Sequence, residues 1–223
     1  MMYRHHLLLA VLLALAPGCH RTDPFPPVSA ADSLATVREN LAHRDTVDQF
    51  FRHDPASPFH RDTTVRYSGI RWYPIDPRFR VYAPLQRYAD PETVTVMGTR
   101  GETRRHLRYG YFAFTLPDTD GTVRSLRLNV YKFTPYDATR YALFHDHLSV
   151  WFTDETTGTD TYEVGRYVDV GTEHPDSGHL YEIDFNTAYN PYCAYSTLYS
   201  CAIPREEDHL AIPIRAGERR YHD

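Results

Sequence analysis

The sequence predicts a mainly β fold, an antiparallel sandwich or partly closed barrel or roll with one N-terminal helix packed on it. Three observations carry this. After Pro58 the chain is a series of short aromatic and β-branched segments, some with a clear period of two, as in Leu126, Leu128 and Val130. Turn signals separate them, foremost Gly98-Thr-Arg-Gly101 and Asp118-Thr-Asp-Gly121. One stretch alone, Ala31 to His53, reads as a long helix. Short strands at regular spacing pair antiparallel and roll up because each has a face to bury.

Each element has a local reason. Asp32 or Ser33 can cap the helix. Leu34, Val37 and Leu41 share one helical face, and Val47, Phe50 and Phe51 form a second cluster rotated from it. Pro55 and Pro58 end the helix. Val65 to Tyr73 is an aromatic segment stopped by Pro74 and Pro77, and Phe79 to Tyr82 is another. Thr93 to Met97 and Arg105 to Leu116 flank the first turn as a hairpin. Leu143 to Phe152, Tyr162 to Val170 and Leu180 to Phe185 continue the series, and His209 to Ile214 adds a last strand.

The N-terminus reads as an export signal. Arg4, with His5 and His6, precedes the apolar run Leu7 to Ala16, which is too short to span a bilayer. The run stops at Ala16-Pro17-Gly18-Cys19, and a small residue directly before a cysteine is the bacterial lipoprotein cleavage pattern. Ala16 and Pro17 stand where that pattern usually has a larger aliphatic residue and a small one. The expected organisation is a signal peptide over residues 1–18, a lipidated Cys19, a Pro-rich tether over 19–30 and one domain over 31–223. Such a chain is exported and held to a membrane of the cell envelope by its acyl chains. The domain, about 190 residues, is long enough for one real core.

Composition narrows the partners. The net charge is −5, and removal of residues 1–18 takes away one base, Arg4, and no acid. An acidic chain argues against a nucleic-acid partner. No Gly-rich phosphate loop, short repeat or nucleophile elbow occurs, and no cofactor is expected.

The densest chemistry lies in Asp184 to Cys201, DFNTAYNPYCAYSTLYSC, which packs Tyr189, Tyr192, Tyr195 and Tyr199 around Pro191. This composition predicts an ordered loop in which aromatic packing holds polar groups. Cys193 and Cys201 are close enough in sequence for a disulfide in an oxidising compartment; buried thiols, a nucleophilic Cys193 or a metal site remain the alternatives. His145-Asp146-His147 places two imidazoles on one side of a strand, yet the solvent face of an edge strand is the expected setting, with no metal. Arg166, Asp169, Asp184, Asn186 and Asn190 fall within or beside apolar strands. Arg166 is expected to reach the Asp184 to Ser196 loop, either as a structural ion pair or, with Tyr195 or Ser196, as a polar cleft.

Four blocks occur in order: Phe152-x-Asp154-x-Thr156-Thr157-Gly158, Thr161-Tyr162-x-x-Gly165-Arg166-Tyr167-x-Asp169, the Asp184 to Ser196 run, and Ala216-Gly217-Glu218. Together with Gly69-x-x-Trp72-Tyr73-Pro74-x-Asp76-Pro77 they resemble the prokaryotic family known as domain of unknown function 1684. The similarity runs from about residue 34 to residue 218. After Cys201 the chain departs from the family's Pro-Pro run and asparagine, with Ala202, Arg205 and Asp208 there. The resemblance implies a fold and a motif set, not an activity. Three classes of function follow: a surface-anchored binding module for a small polar or glycan-like ligand, a hydrolase using the Asp184–Ser196 cluster, or a structural or assembly lipoprotein without a small-molecule site.

Overall fold

The computed structural model describes residues 29–222. The expected signal peptide, Cys19 and most of the expected tether lie outside the described residues. Helix α1 spans Ala30–His53 and is capped by Ser29, whose side chain accepts a bond from the Asp32 N–H at 3.1 Å. The expected caps, Asp32 and Ser33, lie inside the first turn, where the Asp32 carboxylate favours the helix N-terminus. Pro58, expected as a stop, begins the short helix α2, Pro58–Arg61, because a first-turn position needs no N–H.

The expected apolar face of α1 is not its buried face. Leu34 is 72% and Leu41 56% exposed, while Thr36, Asn40 and Phe51 are buried. The first half of the helix docks through polar bonds instead. Asn40 Nδ2 donates to Asp184 Oδ2 at 2.8 Å, and Arg80 reaches Glu39 at 2.6 Å and Thr36 Oγ1 at 3.3 Å. Apolar packing begins only at Val47, Phe50 and Phe51, which join Phe59, Tyr67 and Tyr195.

The strands are β1 (Arg80–Pro84), β2 (Gln86–Met97), β3 (Thr103–Pro117), β4 (Val123–Phe133), β5 (His147–Asp154), β6 (Arg166–Thr172), β7 (Leu180–Asp184) and β8 (His209–Leu210). The large sheet runs β2-β3-β4-β5-β6, all antiparallel, with β8 laid parallel on β5. β1 and β7 form a separate antiparallel ribbon. It shares a core with one face of the large sheet, where Phe112, Leu128, Val150, Phe152, Ile183 and Phe185 meet. The sheets do not close into a barrel.

Two expected strand segments take other forms. Leu143 lies in helix α3, Ala138–Phe144, which follows Pro135 and starts where Asp137 accepts from the Arg140 N–H. Val65 to Tyr73 forms no strand; Trp72 makes one isolated bridge to Glu218, and the Tyr73 N–H donates to the Gly217 carbonyl at 2.9 Å. β5 is flanked by β4 and β6, so His147 opens a central strand rather than an edge, and His145 caps α3.

A β-bulge lets β3 send side chains into both faces of the large sheet. Pairing of β3 with β4 shifts between Arg108 and Gly110, leaving Tyr109 as the extra residue. Beyond it Phe112 and Leu116 enter the main core. Before it His106 turns the other way, 5.3 Å from the Trp151 ring. Gly110 is required here, because a Cβ would stand 2.5 Å from the Gln86 carbonyl oxygen. The second face carries Val94, Val96, Tyr131 and Trp151 and is covered in part by Ala202.

Candidate ligand-binding cleft

Arg166, on β6, is 1% exposed. Its guanidinium pairs with Asp154 at 2.9 Å and donates to the carbonyls of Ile214 (2.8 Å), Ala216 (2.5 Å) and Glu218 (3.1 Å). The expected partner was the Asp184 loop. The structure gives Arg166 to Asp154 and to the turn 214–218, because that turn offers three inward carbonyls that only a forked cation can satisfy together. Gly217 makes the turn possible. It adopts φ +77°, and a Cβ would meet the carbonyl oxygens of Ala188 at 2.5 Å and Phe185 at 2.7 Å.

Asp184 and Asn186 form a second locked unit. Asp184 accepts from the Asn186 N–H at 2.9 Å, from its side-chain amide at 2.8 Å and from Asn40. Asn186 also exchanges two bonds with the Asp76 backbone, at 2.8 and 2.9 Å. Ser196 donates to Asp62 at 2.5 Å. Asp184, Asn186 and Ser196 are thus brought together with α1, Asp76 and Asp62, while Asp169 lies exposed on β6 and bonds the Gly171 N–H.

The Tyr-rich loop packs as its composition predicts. The Tyr195 ring sits 5.2 Å from Phe51, 5.4 Å from Phe59 and 5.2 Å from Tyr221. Tyr189 exchanges two backbone bonds of 2.9 Å with Tyr167, fixing the loop to the edge of β6. Between this loop, α1, α3 and the second face of the sheet lies a cleft of about 800 Å³. Its walls are mainly rings, including Phe50, Phe133, Trp151, Tyr167, Tyr189 and Tyr199.

Polar groups sit at particular points of this apolar wall. Glu218 is buried at one end, its Oε2 accepting from the Asn190 N–H at 2.9 Å and from the Tyr195 hydroxyl at 2.5 Å. Burial pushes its carboxyl up to about 7, against those bonds and the Arg166 charge. Asn190 donates to the Arg219 carbonyl at 2.8 Å, while its Oδ1 is buried without a partner. His106 Nδ1 is buried without a partner as well. Of the sequence candidates, Asn190 and Tyr195 line the cleft; Arg166, Asp184, Asn186 and Ser196 stand behind it as frame. Sequence reasoning missed Glu218, His43, His106, Trp151 and Arg104 as lining residues. Only Glu218 carried a signal, as the last residue of the Ala216-Gly217-Glu218 block.

Cys193 and Cys201 are free thiols side by side, the Cys193 N–H donating to Cys201 Sγ at 3.3 Å. The Cys201 thiol favours a Cys193 thiolate, burial opposes it, and the Tyr162 hydroxyl at 3.7 Å adds to the first effect. Cys201 lines the cleft. Beyond it, Asp208 replaces the expected asparagine as a buried hub. It accepts from Asn129 (2.8 Å), Tyr131 (2.9 Å), Trp151 (3.1 Å) and the Arg205 N–H (3.0 Å), and so fixes the ring that floors the cleft.

Fold and site define a mainly β domain with an aromatic cleft framed by buried polar networks. A model of the family described as Protein of unknown function (DUF1684) matches residues 65–219, and the chain belongs to that family. A solved structure agrees: an uncharacterized protein of Haloarcula marismortui, determined in solution by NMR, is 30% identical. That match covers 86% of this chain and 97% of the other, with a TM-score of 0.57. No curated protein matches the chain.

Proposed function

We propose that this chain is a binding module, exported and held at the cell envelope by a lipid on Cys19, that takes a small polar, glycan-like ligand in the cleft. The cleft carries the reading: about 800 Å³, walled by rings, with the unpartnered Asn190 Oδ1 and His106 Nδ1 among its lining residues. Its volume falls within the range of small-molecule sites, about 300–1,000 Å³. The flat apolar face of a sugar ring stacks on Tyr or Trp, and its hydroxyls supply the donors that buried orphan acceptors lack. The geometry favours binding over hydrolysis by the Asp184–Ser196 cluster, since the Ser196 hydroxyl donates to Asp62 and Asp184 is taken up by amides.

The chain has two tryptophans, so Trp72→Phe leaves Trp151 as the only indole, on the cleft floor. Titration of that variant with chito- and cello-oligosaccharides and their aryl glycosides is expected to give a saturable fluorescence change, lost in Tyr189→Ala. Flat titrations across the panel would refute the reading. The anchor is tested apart from the ligand: Cys19→Ser should move the protein from the membrane to the soluble fraction, and unchanged partition would count against lipidation. In the oxidising envelope Cys193 and Cys201 close a disulfide that stabilises the loop by roughly 2–3 kcal/mol.

A further inference from the structure

We propose that the ligand of this cleft carries an acid group, a carboxylate or a phosphate ester, held at the end formed by Arg104, Arg140 and His106; this rests on the cleft being the binding site. The cleft is polarised along its length. Glu218 and His43 line the end near α1, and Arg104, Arg140, His106 and His147 line the end near α3. The two guanidinium groups keep donors in reserve. Both bonds of Arg104, to Glu102 at 2.5 Å and to the Ser200 carbonyl at 2.8 Å, fall on Nη2. The Arg140 bond to Asp137, 2.6 Å, falls on Nη1. A guanidinium offers five N–H donors, so each can also serve a second oxyanion.

His106 supplies the independent sign of a ligand. It is 3% exposed, and its Nδ1 has no partner. The ring is held between Phe133 at 5.2 Å and Trp151 at 5.3 Å, so it does not swing away to find one. Burial first, then the charges of Arg104 and Arg140, push its pKa down to about 4, with Asp137 and the Lys132 backbone carbonyl opposing. At neutral pH the imidazole is therefore uncharged and offers one N–H and one lone pair rather than a second positive charge. A neutral ring nitrogen beside two guanidinium groups suits an acid group with one oxygen on each arginine and an edge toward the imidazole. Glu102 and Asp137 offset part of the positive charge, so recognition depends on directed donors more than on net field. Glu218 repels acid at the opposite end whenever it is ionised, and that fixes the orientation.

The test uses one ring with three substituents: 2-naphthoate, 2-naphthyl phosphate and the neutral 2-naphthamide, titrated calorimetrically into the full chain. At least one acid is expected to bind about ten-fold more tightly than the amide, the worth of one charge-assisted bond. The acid that gains more identifies the ligand as carboxylate or phosphate ester. Arg104→Gln is expected to remove most of that preference, because it weakens the acids far more than the amide, whose neutral oxygen gains less from a guanidinium. Should Arg104→Gln unfold through loss of the Glu102 and Ser200 bonds, Arg140→Gln serves, since its side chain is about half exposed and pairs with Asp137 within its own helical turn. Equal affinity for all three probes, or an acid preference that survives Arg140→Gln in full, would overturn the acid site while the cleft stands. No binding of any probe would overturn this inference, while the cleft reading itself stands or falls on the saccharide titration of Trp72→Phe.

Discussion

Glu218 gives the sharpest test of how this structure is held together. Its carboxyl is buried, it faces the cleft, and its bonds come from the Tyr195 hydroxyl and the Asn190 N–H. Burial raises the pKa from 4.5 to about 7. A difference of that size corresponds to about 3 kcal/mol between the two protonation states. For an acid raised in the folded state, that stability is fully present below about pH 4.5 and is lost as pH rises through about 7. Glu218→Gln keeps the shape of the protonated form and cannot ionise. The variant is therefore expected to match the parent at pH 4.5 and to exceed it by about 3 kcal/mol at pH 8. Urea unfolding, followed by tryptophan fluorescence at several pH values, gives both free energies, and groups that titrate alike in the two proteins cancel in the difference. A difference that stays flat from pH 4.5 to 8 would refute the reasoning, for it would mean that Arg166 and the two donors hold Glu218 ionised throughout.

Arg166→Met is expected to cost about 3–5 kcal/mol, because Asp154 stays buried without its cation and three carbonyls lose their donor; a loss under about 1 kcal/mol in urea unfolding would contradict the frame described for β6. Cys193 is expected to react with iodoacetamide before Cys201 at neutral pH, since the neighbouring thiol and Tyr162 favour its thiolate. Peptide mapping after a short pulse reads this directly, and label found first on Cys201 would reverse the assignment. Mild oxidation of the same sample is expected to link the two cysteines and block both.

The strand series was legible because period two and turn residues are local signals: the hairpin around Gly98–Gly101, the Asp118–Gly121 turn and, within a residue, the segment Leu180 to Phe185 stand where the pattern puts them. Helix α1 was legible as a helix, but not in its orientation. Leu34, Val37 and Leu41 suggested an apolar contact, whereas Asn40 and Thr36 make the docking bonds with partners 144 and 44 residues away. No local pattern reveals such a partner. Arg166 was recognised as a buried cation in need of a carboxylate, yet two aspartates were available and sequence order favoured the wrong one. Asp154 lies on the adjacent strand, where Phe152 pairs with Arg166, and only the register makes that visible. The cleft was hidden for the same reason. It borrows from α1, β3, α3, β5 and the loop 189–202, and the bulge at Tyr109 turns His106 toward it.

The placement of the family blocks separates what holds the cleft from what would read a ligand. Asp154, Arg166 and the 214–218 turn form one network; Asp76, Asp184 and Asn186 form another; Asn190, Tyr195 and Glu218 join the loop to the turn. Apart from Asn190 Oδ1 and Arg166 Nε these residues satisfy one another, and a group spent on a neighbour has little left to offer a ligand. Besides Asn190 Oδ1 within the loop block, the groups with unspent capacity at the cleft, His106 Nδ1 and the free nitrogens of Arg104 and Arg140, lie outside the blocks, on β3 and α3. Residues within the blocks should therefore govern stability when substituted. Residues on β3 and α3 should govern which ligand is taken. Glu218 belongs to both sets, being framed by Tyr195 and Asn190 while facing the cleft, so its protonation is the point at which the frame and the site report on each other.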